Sequence, residues 1–114
     1  MLGTLESATM GVLWSSEDAL SVRQVLDVLN VGRDSPLAYT TVMTVLGRLH
    51  RKGVLERQRS GRGFCYTPAV RDEAAIAVRS VIKEYGDAAL THFAEHARAD
   101  PELLRRLRAL TENE

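Results

Sequence analysis

The chain lacks the features that mark several functional classes. It has a single cysteine, Cys65, so no internal disulfide framework can form. Such usage fits a reducing cytoplasm, where the chain is expected to act. The opening MLGTLESATMGVLW has no basic start and no long apolar run, so no signal peptide is expected. No segment stays apolar for the roughly 20 residues that a membrane span needs, and no membrane contact is expected. Internal repeats and low-complexity tracts are missing. So are a Ser/His/Asp set, paired carboxylates of catalytic type and a phosphate loop. The glycines around Gly61 lack the Lys-Ser/Thr of such a loop and precede a strand pattern, not a helix. The residues therefore point away from an enzyme and imply no cofactor.

Net charge is also missing, since 15 basic residues balance 15 acidic ones. Its distribution is uneven. Between Met43 and Gly63 stand Arg48, Arg51, Lys52, Arg57, Arg59 and Arg62 against Glu56 alone. From Arg71 onward, seven basic residues face nine acidic ones. A basic segment beside an acidic one suggests a nucleic-acid face and a separate face for something else. A solvated charged surface is the plainer alternative.

The 114 residues suffice for one domain plus an appendage, with no need of a metal or disulfide. A first helix is expected from Thr4, as N-cap, to Trp14, with Leu5, Ala8, Val12 and Leu13 on its apolar side. Ala19 and Leu20 suit a very short strand. Ser21 and Gln24 then form a capping box. It opens a helix whose Val22, Val25, Leu26 and Leu29 share one face. Asn30 to Pro36 reads as a turn. A third helix follows from Tyr39 to Lys52, with Val42, Val45, Leu46 and Leu49 inward and Gly53 as its terminator. Leu55–Ser60 and Phe64–Thr67 are strand candidates joined at Gly61-Arg62-Gly63. Three further helical stretches break at Gly86 and at Asp100-Pro101. The expected fold is mainly α with a small two- to three-stranded antiparallel wing. It comprises a winged helix-turn-helix over residues 1–70 and a helical dimerisation region over 71–114.

On the third helix, Thr40, Thr41, Met43, Thr44, Gly47, Arg48 and Arg51 remain once the apolar stripe is removed. Threonine is a poor helix former. Either Thr40 or Thr41 caps the helix start, or the short side chains let the helix lie deep in a major groove. There Thr40, Thr41, Met43 and Thr44 would meet base edges and thymine methyls. For Met43 the alternative is a core contact against the first helix. Arg48, Arg51, Lys52, Arg59 and Arg62 are candidates for phosphate contacts, the last two on a wing or on an ordinary hairpin tip. Val78, Val81, Ile82, Tyr85, Leu90, Phe93, Leu103, Leu107 and Leu110 form apolar stripes on helices too short to fold alone. They must pack on the first domain or on a second chain, and are candidates for joining two copies into a homodimer.

The runs LGTLESATMGVLW (Leu2–Trp14), SVRQV (Ser21–Val25) and AYTTVMTVLGRLHRKG (Ala38–Gly53) resemble the penicillinase-repressor family, BlaI/MecI, and the similarity spans nearly the whole chain. The resemblance implies a dimeric repressor of beta-lactamase or cell-wall and antibiotic-stress genes. Its partner would be double-stranded operator DNA, an inverted repeat resembling TACA and TGTA half-sites, and Thr41, Met43 and Thr44 would read bases. It also implies relief through a sensor-linked protease that cuts in the C-terminal helices, at His92–Phe93 by position. Here His stands where well-known members have Asn. Release by a ligand, metal or partner protein is the alternative. The cysteine cluster of copper-responsive relatives is missing after Cys65. Thr9 stands where many relatives carry a larger aliphatic residue.

His92-Phe93-Ala94-Glu95-His96 matches the H-x-x-E-H zinc pattern. A zinc site also needs a third ligand and a cleft, so no metal site is expected. A winged helix used only for protein contacts and a metal sensor built on His92 and His96 remain open on the residues alone.

Overall fold

The computed structural model describes residues 2–112. Its elements are α1 (Thr4–Trp14), β1 (Leu20–Ser21), α2 (Val22–Leu29), α3 (Tyr39–Arg51), β2 (Leu55–Ser60), β3 (Gly63–Pro68), α4 (Glu73–Tyr85), α5 (Asp87–Ala99) and α6 (Pro101–Glu112). The strands form one antiparallel sheet in the order β1-β3-β2. This is the mainly helical, small-winged architecture expected from the sequence.

Local chemistry accounts for most boundaries. The Ser21 hydroxyl accepts from the Gln24 N–H at 3.2 Å, and the Gln24 side chain accepts from the Ser21 N–H at 2.9 Å. That reciprocal box starts α2 where the sequence places it. Asn30 closes the next turn. Its amide donates to the Leu37 carbonyl at 3.2 Å and accepts from the Leu37 N–H at 2.8 Å. This pins the end of α2 to the approach of α3. At the end of α3, Gly53 sits at φ 78°. The Val54 N–H reaches back to Leu49 and the Gly53 N–H to His50, the paired bonds of a Schellman stop. Asp100 Oδ1 accepts from the N–H groups of Glu102 and Leu103, with Pro101 in the first helical position as expected.

Several expectations at the ends of elements need correction. Thr4 is not the N-cap of α1. Gly3 is, and its N–H donates to Glu6 Oε1 at 3.0 Å. Ala8 is exposed, while Met10, Leu13 and Thr9 are buried. Apolar and polar residues are interspersed around α1, so it carries little periodicity to show its inner face. The Thr9 hydroxyl is satisfied by the Leu5 carbonyl at 2.8 Å. β1 is Leu20–Ser21 rather than Ala19–Leu20, because those residues pair with Tyr66 and Cys65. Gly86, where the sequence breaks the helical stretches, is the N-cap of α5.

The core of the winged unit joins Met10 and Leu13 of α1 to Val25 and Leu26 of α2 and to Val42, Leu46 and Leu49 of α3. Leu55, Tyr66 and Ile76 close it. Trp14 Nε1 donates to the Val70 carbonyl at 2.9 Å, and Ser7 Oγ to Glu73 Oε1 at 3.0 Å. These contacts carry the first compact unit past Val70. The two units meet between Ile76 and Ala77. The first turn of α4 therefore folds with the wing, because Ile76 is buried there. In the second unit, α5 and α6 pack on each other, and Ala97 is buried.

Candidate nucleic-acid interface

The inner stripe of α3 decides what its outer face presents. With Val42, Val45, Leu46 and Leu49 buried, helical spacing turns Thr40, Thr44, Gly47 and Arg51 outward. Thr40, Thr41, Thr44, Arg48 and Arg51 are exposed. The N-cap is Ala38, and no side chain caps the helix. The capping explanation for Thr40 and Thr41 therefore fails. Met43 is 47% exposed, so its reading as a core contact fails too.

Each flank of this face has its own neighbour. Thr40, Thr41, Thr44 and Arg48 line an open hollow of about 530 Å³ with Gly3, the cap of α1, and with Thr4, Leu5 and Glu6. On the other flank, the Arg23 guanidinium of α2 lies over the Tyr39 ring, 5.3 Å from its centroid.

Lys52 has a partner of its own. Its ammonium donates to both Glu6 oxygens, at 3.0 and 2.8 Å. Its charge thus has a partner within the protein before any phosphate is met, and Lys52 stays a phosphate candidate that would have to leave or share Glu6. Burial pushes the Glu6 carboxyl up. The Lys52 and Gly3 hydrogen bonds, with the charges of Lys52 and Arg48, outweigh that and hold it below its ordinary value.

The wing is an uninterrupted antiparallel ladder from Leu55↔Pro68 to Ser60↔Gly63. Gly61, at φ 60°, takes the turn position where a side chain would be strained. Arg57 and Arg59 share a strand face. Their guanidinium groups lie 4.1 and 6.0 Å from the Phe64 ring centroid. Arg62 is exposed at the tip. Sequence reasoning missed Arg23, Tyr39, Phe64 and Glu6 as parts of this surface. Only Arg23 left a trace in the sequence, as a cation in the first turn of a helix.

In the second unit, Val78, Val81, Ile82, Tyr85, Leu90, Phe93 and Leu110 are exposed. Leu103 and Leu107 are half-buried. Val78, Val81 and Ile82 of α4 and Leu90 and Phe93 of α5, with Ala77 and Ala89, line an apolar groove of about 420 Å³. The His92 side chain is 79% exposed, and its Nδ1 lies 3.4 Å from Glu95 Oε2. Among the described residues, no three His, Cys, Asp or Glu side chains converge as metal ligands. No helix among them is long and apolar enough to cross a membrane.

Residues 2–113 match the family described as the penicillinase repressor. The chain belongs to the penicillinase-repressor family. It is 44% identical over 106 residues to the transcriptional regulator BlaI of Mycobacterium tuberculosis, covering 87% of this chain and 75% of that one. It is 32% identical over 75 residues to the penicillinase repressor of Bacillus licheniformis, covering 66% of this chain and 56% of that one. Among solved structures, it resembles the monomeric form of the B. licheniformis BlaI in complex with the blaP half-operator. The TM-score is 0.52 at 29% identity, over 66% of this chain and 87% of that chain. MepR, a transcription regulator of the Staphylococcus aureus multidrug efflux pump MepA, shares the fold with a TM-score of 0.54 at 18% identity, over 96% and 80% of the two chains. Like other penicillinase repressors, the chain is a winged-helix transcriptional repressor and not an enzyme.

Proposed function

We propose that this repressor binds, as a homodimer, an inverted-repeat operator in double-stranded DNA in the cytoplasm. Thr40, Thr41, Met43 and Thr44 read bases. Arg48, Arg51, Arg59 and Arg62 neutralise phosphates. The observation that carries this reading is the outer face of α3: three threonines and a methionine stand exposed there, with neither a cap nor a core contact to account for them. Short side chains allow a helix close approach to base edges. A relative solved in complex with its half-operator supports binding to operator DNA, and one winged helix reads too few base pairs to find a single site in a genome. The exposed apolar residues of α4 and α5 support the dimer, because a monomer seldom leaves such a patch in water. By family likeness, the regulated genes are those of beta-lactamase or of the cell-wall and antibiotic-stress response.

The test uses the full chain and a duplex carrying TACA and TGTA half-sites, with a scrambled duplex beside it. Binding should be salt-dependent on both and at least a hundredfold tighter on the repeat, consistent with about 1–3 kcal/mol per correct base pair. Equal affinity for the two duplexes would reject specific readout.

Relief of repression has two readings. The bond between His92 and Phe93 matches the family's cleavage position, and cutting there separates α6 from the groove. That bond lies well inside α5, so a protease needs the helix opened first. This favours a second reading, in which a ligand or partner protein opens the region without cleavage. Immunoblots after a cell-wall antibiotic separate them: an intact chain during induction eliminates proteolysis.

A further inference from the structure

The basic residues of the winged unit differ in what holds them. Arg23 occupies the first turn of α2, where the helix dipole disfavours a cation. Among the described residues it forms no ion pair, although Asp27 stands one helical turn away. What holds it is the face of Tyr39, the first residue of α3, at 5.3 Å. Tyr39 is itself 43% exposed. Helix stability explains neither a cation at this end nor a half-exposed aromatic ring beside it.

We infer that Arg23, stacked on Tyr39, is a backbone anchor that grips a DNA phosphate beside the groove entered by α3. This rests on the DNA-binding reading above and adds a contact that reading does not contain. The placement follows from the two flanks of α3. Tyr39 and Met43, one turn apart, lie on the α2 side. Thr41 and Arg48 lie on the side of the hollow shared with α1. A helix in a major groove about 12 Å wide has a phosphate strand on each side. Arg48 lines the hollow on the α1 side, and Arg23 supplies a cation on the opposite, Tyr39 flank. Stacking occupies the flat face of a guanidinium and leaves its in-plane N–H donors free. Those donors match the oxygens of a phosphate in a two-pronged hydrogen bond. A side chain already held against a ring also loses less freedom on binding.

The test measures binding of the full chain to the half-site duplex and to its scrambled version across a salt series, with thermal melting in parallel. Arg23→Ala should lower the slope of log K against log salt by about 1 on both duplexes, a loss of roughly tenfold near 0.1 M salt. It should leave the preference for the half-site duplex unchanged and melt no lower than wild type. Arg23→Lys should keep the wild-type slope. Tyr39→Phe, which keeps the ring, should bind as wild type. An unchanged slope in Arg23→Ala, or a lower melting temperature that accounts for its weaker binding, overturns the anchor while DNA binding by the wild type stands. A wild-type chain with no salt-dependent binding to either duplex overturns the DNA-binding reading itself.

Discussion

Replacing Glu6 by alanine should weaken the fold and strengthen the grip on DNA at once. Glu6 accepts two hydrogen bonds from Lys52 and one from the Gly3 N–H. Its side chain is 14% exposed and that of Lys52 45%. An exposed ion pair contributes about 0.2–1 kcal/mol, and the low exposure of Glu6 puts this one near the top of that range. The Gly3 hydrogen bond adds about 0.5–1 kcal/mol, and an acid in the first turn of a helix a further ~0.3–1 kcal/mol. Alanine returns a few tenths through its helix propensity. The net loss is about 2 kcal/mol, or a melting temperature lower by on the order of 10 °C for a unit of this size. The sign of the pH dependence follows from the lowered Glu6 pKa. Its stabilisation is complete above the ordinary value of 4.5 and is lost as pH falls through the lower folded-state value. The gap between Glu6→Ala and wild type should therefore be full at neutral pH and close in acid. Meanwhile the Lys52 ammonium loses its partner and becomes available to phosphates. The salt slope of DNA binding should rise by up to about 1. Circular dichroism melting across pH, with fluorescence anisotropy against a labelled duplex, reads both effects. Melting that matches wild type at neutral pH would refute the account of the ion pair. A gap that persists unchanged into acid would refute its ionic origin.

Four more outcomes are expected. Thr44→Ala should cost on the order of 1 kcal/mol on the half-site duplex and little on the scrambled one; equal losses by anisotropy would remove α3 as the base reader. Arg59→Ala/Arg62→Ala should lower the salt slope by about 2, one for each phosphate left without its arginine, and an unchanged slope would rule out the wing. Phe93→Ala should weaken a dimer by roughly a hundredfold or more, since each buried Phe contributes about 1.5–3 kcal/mol and two chains lose one each. Sedimentation of the wild type as a monomer at micromolar concentration would contradict that dimer. Ser21→Ala should destabilise by about 1 kcal/mol through loss of the α2 cap, measured by urea unfolding.

Interactions that stay within a few residues were legible in the sequence. The Ser21–Gln24 box, the Asn30–Pro36 turn, the inner stripes of α2 and α3, the Gly53 stop and the Asp100-Pro101 start all rest on neighbouring residues. A helix or turn repeats them wherever they occur. The family likeness was legible for the same reason, because its motifs are continuous runs. The basic content of the α3–wing segment could also be counted, though not the partner of each charge.

Only the tertiary structure decided contacts between residues far apart in the chain. Lys52 meets Glu6 across 46 positions, a partner for that charge that no local pattern announces. Arg23 found Tyr39, and Arg57 and Arg59 found Phe64, through the packing of separate elements. The sequence placed Leu5, Ala8, Val12 and Leu13 on the inner side of α1; packing against α2, α3 and the sheet kept Leu13, added Met10 and left Ala8 exposed. The first compact unit reaches Ile76 because burial of Ile76 depends on a core built from α1, α2, α3 and the sheet. Periodicity identifies which residues share a face, but what that face meets depends on how distant segments pack.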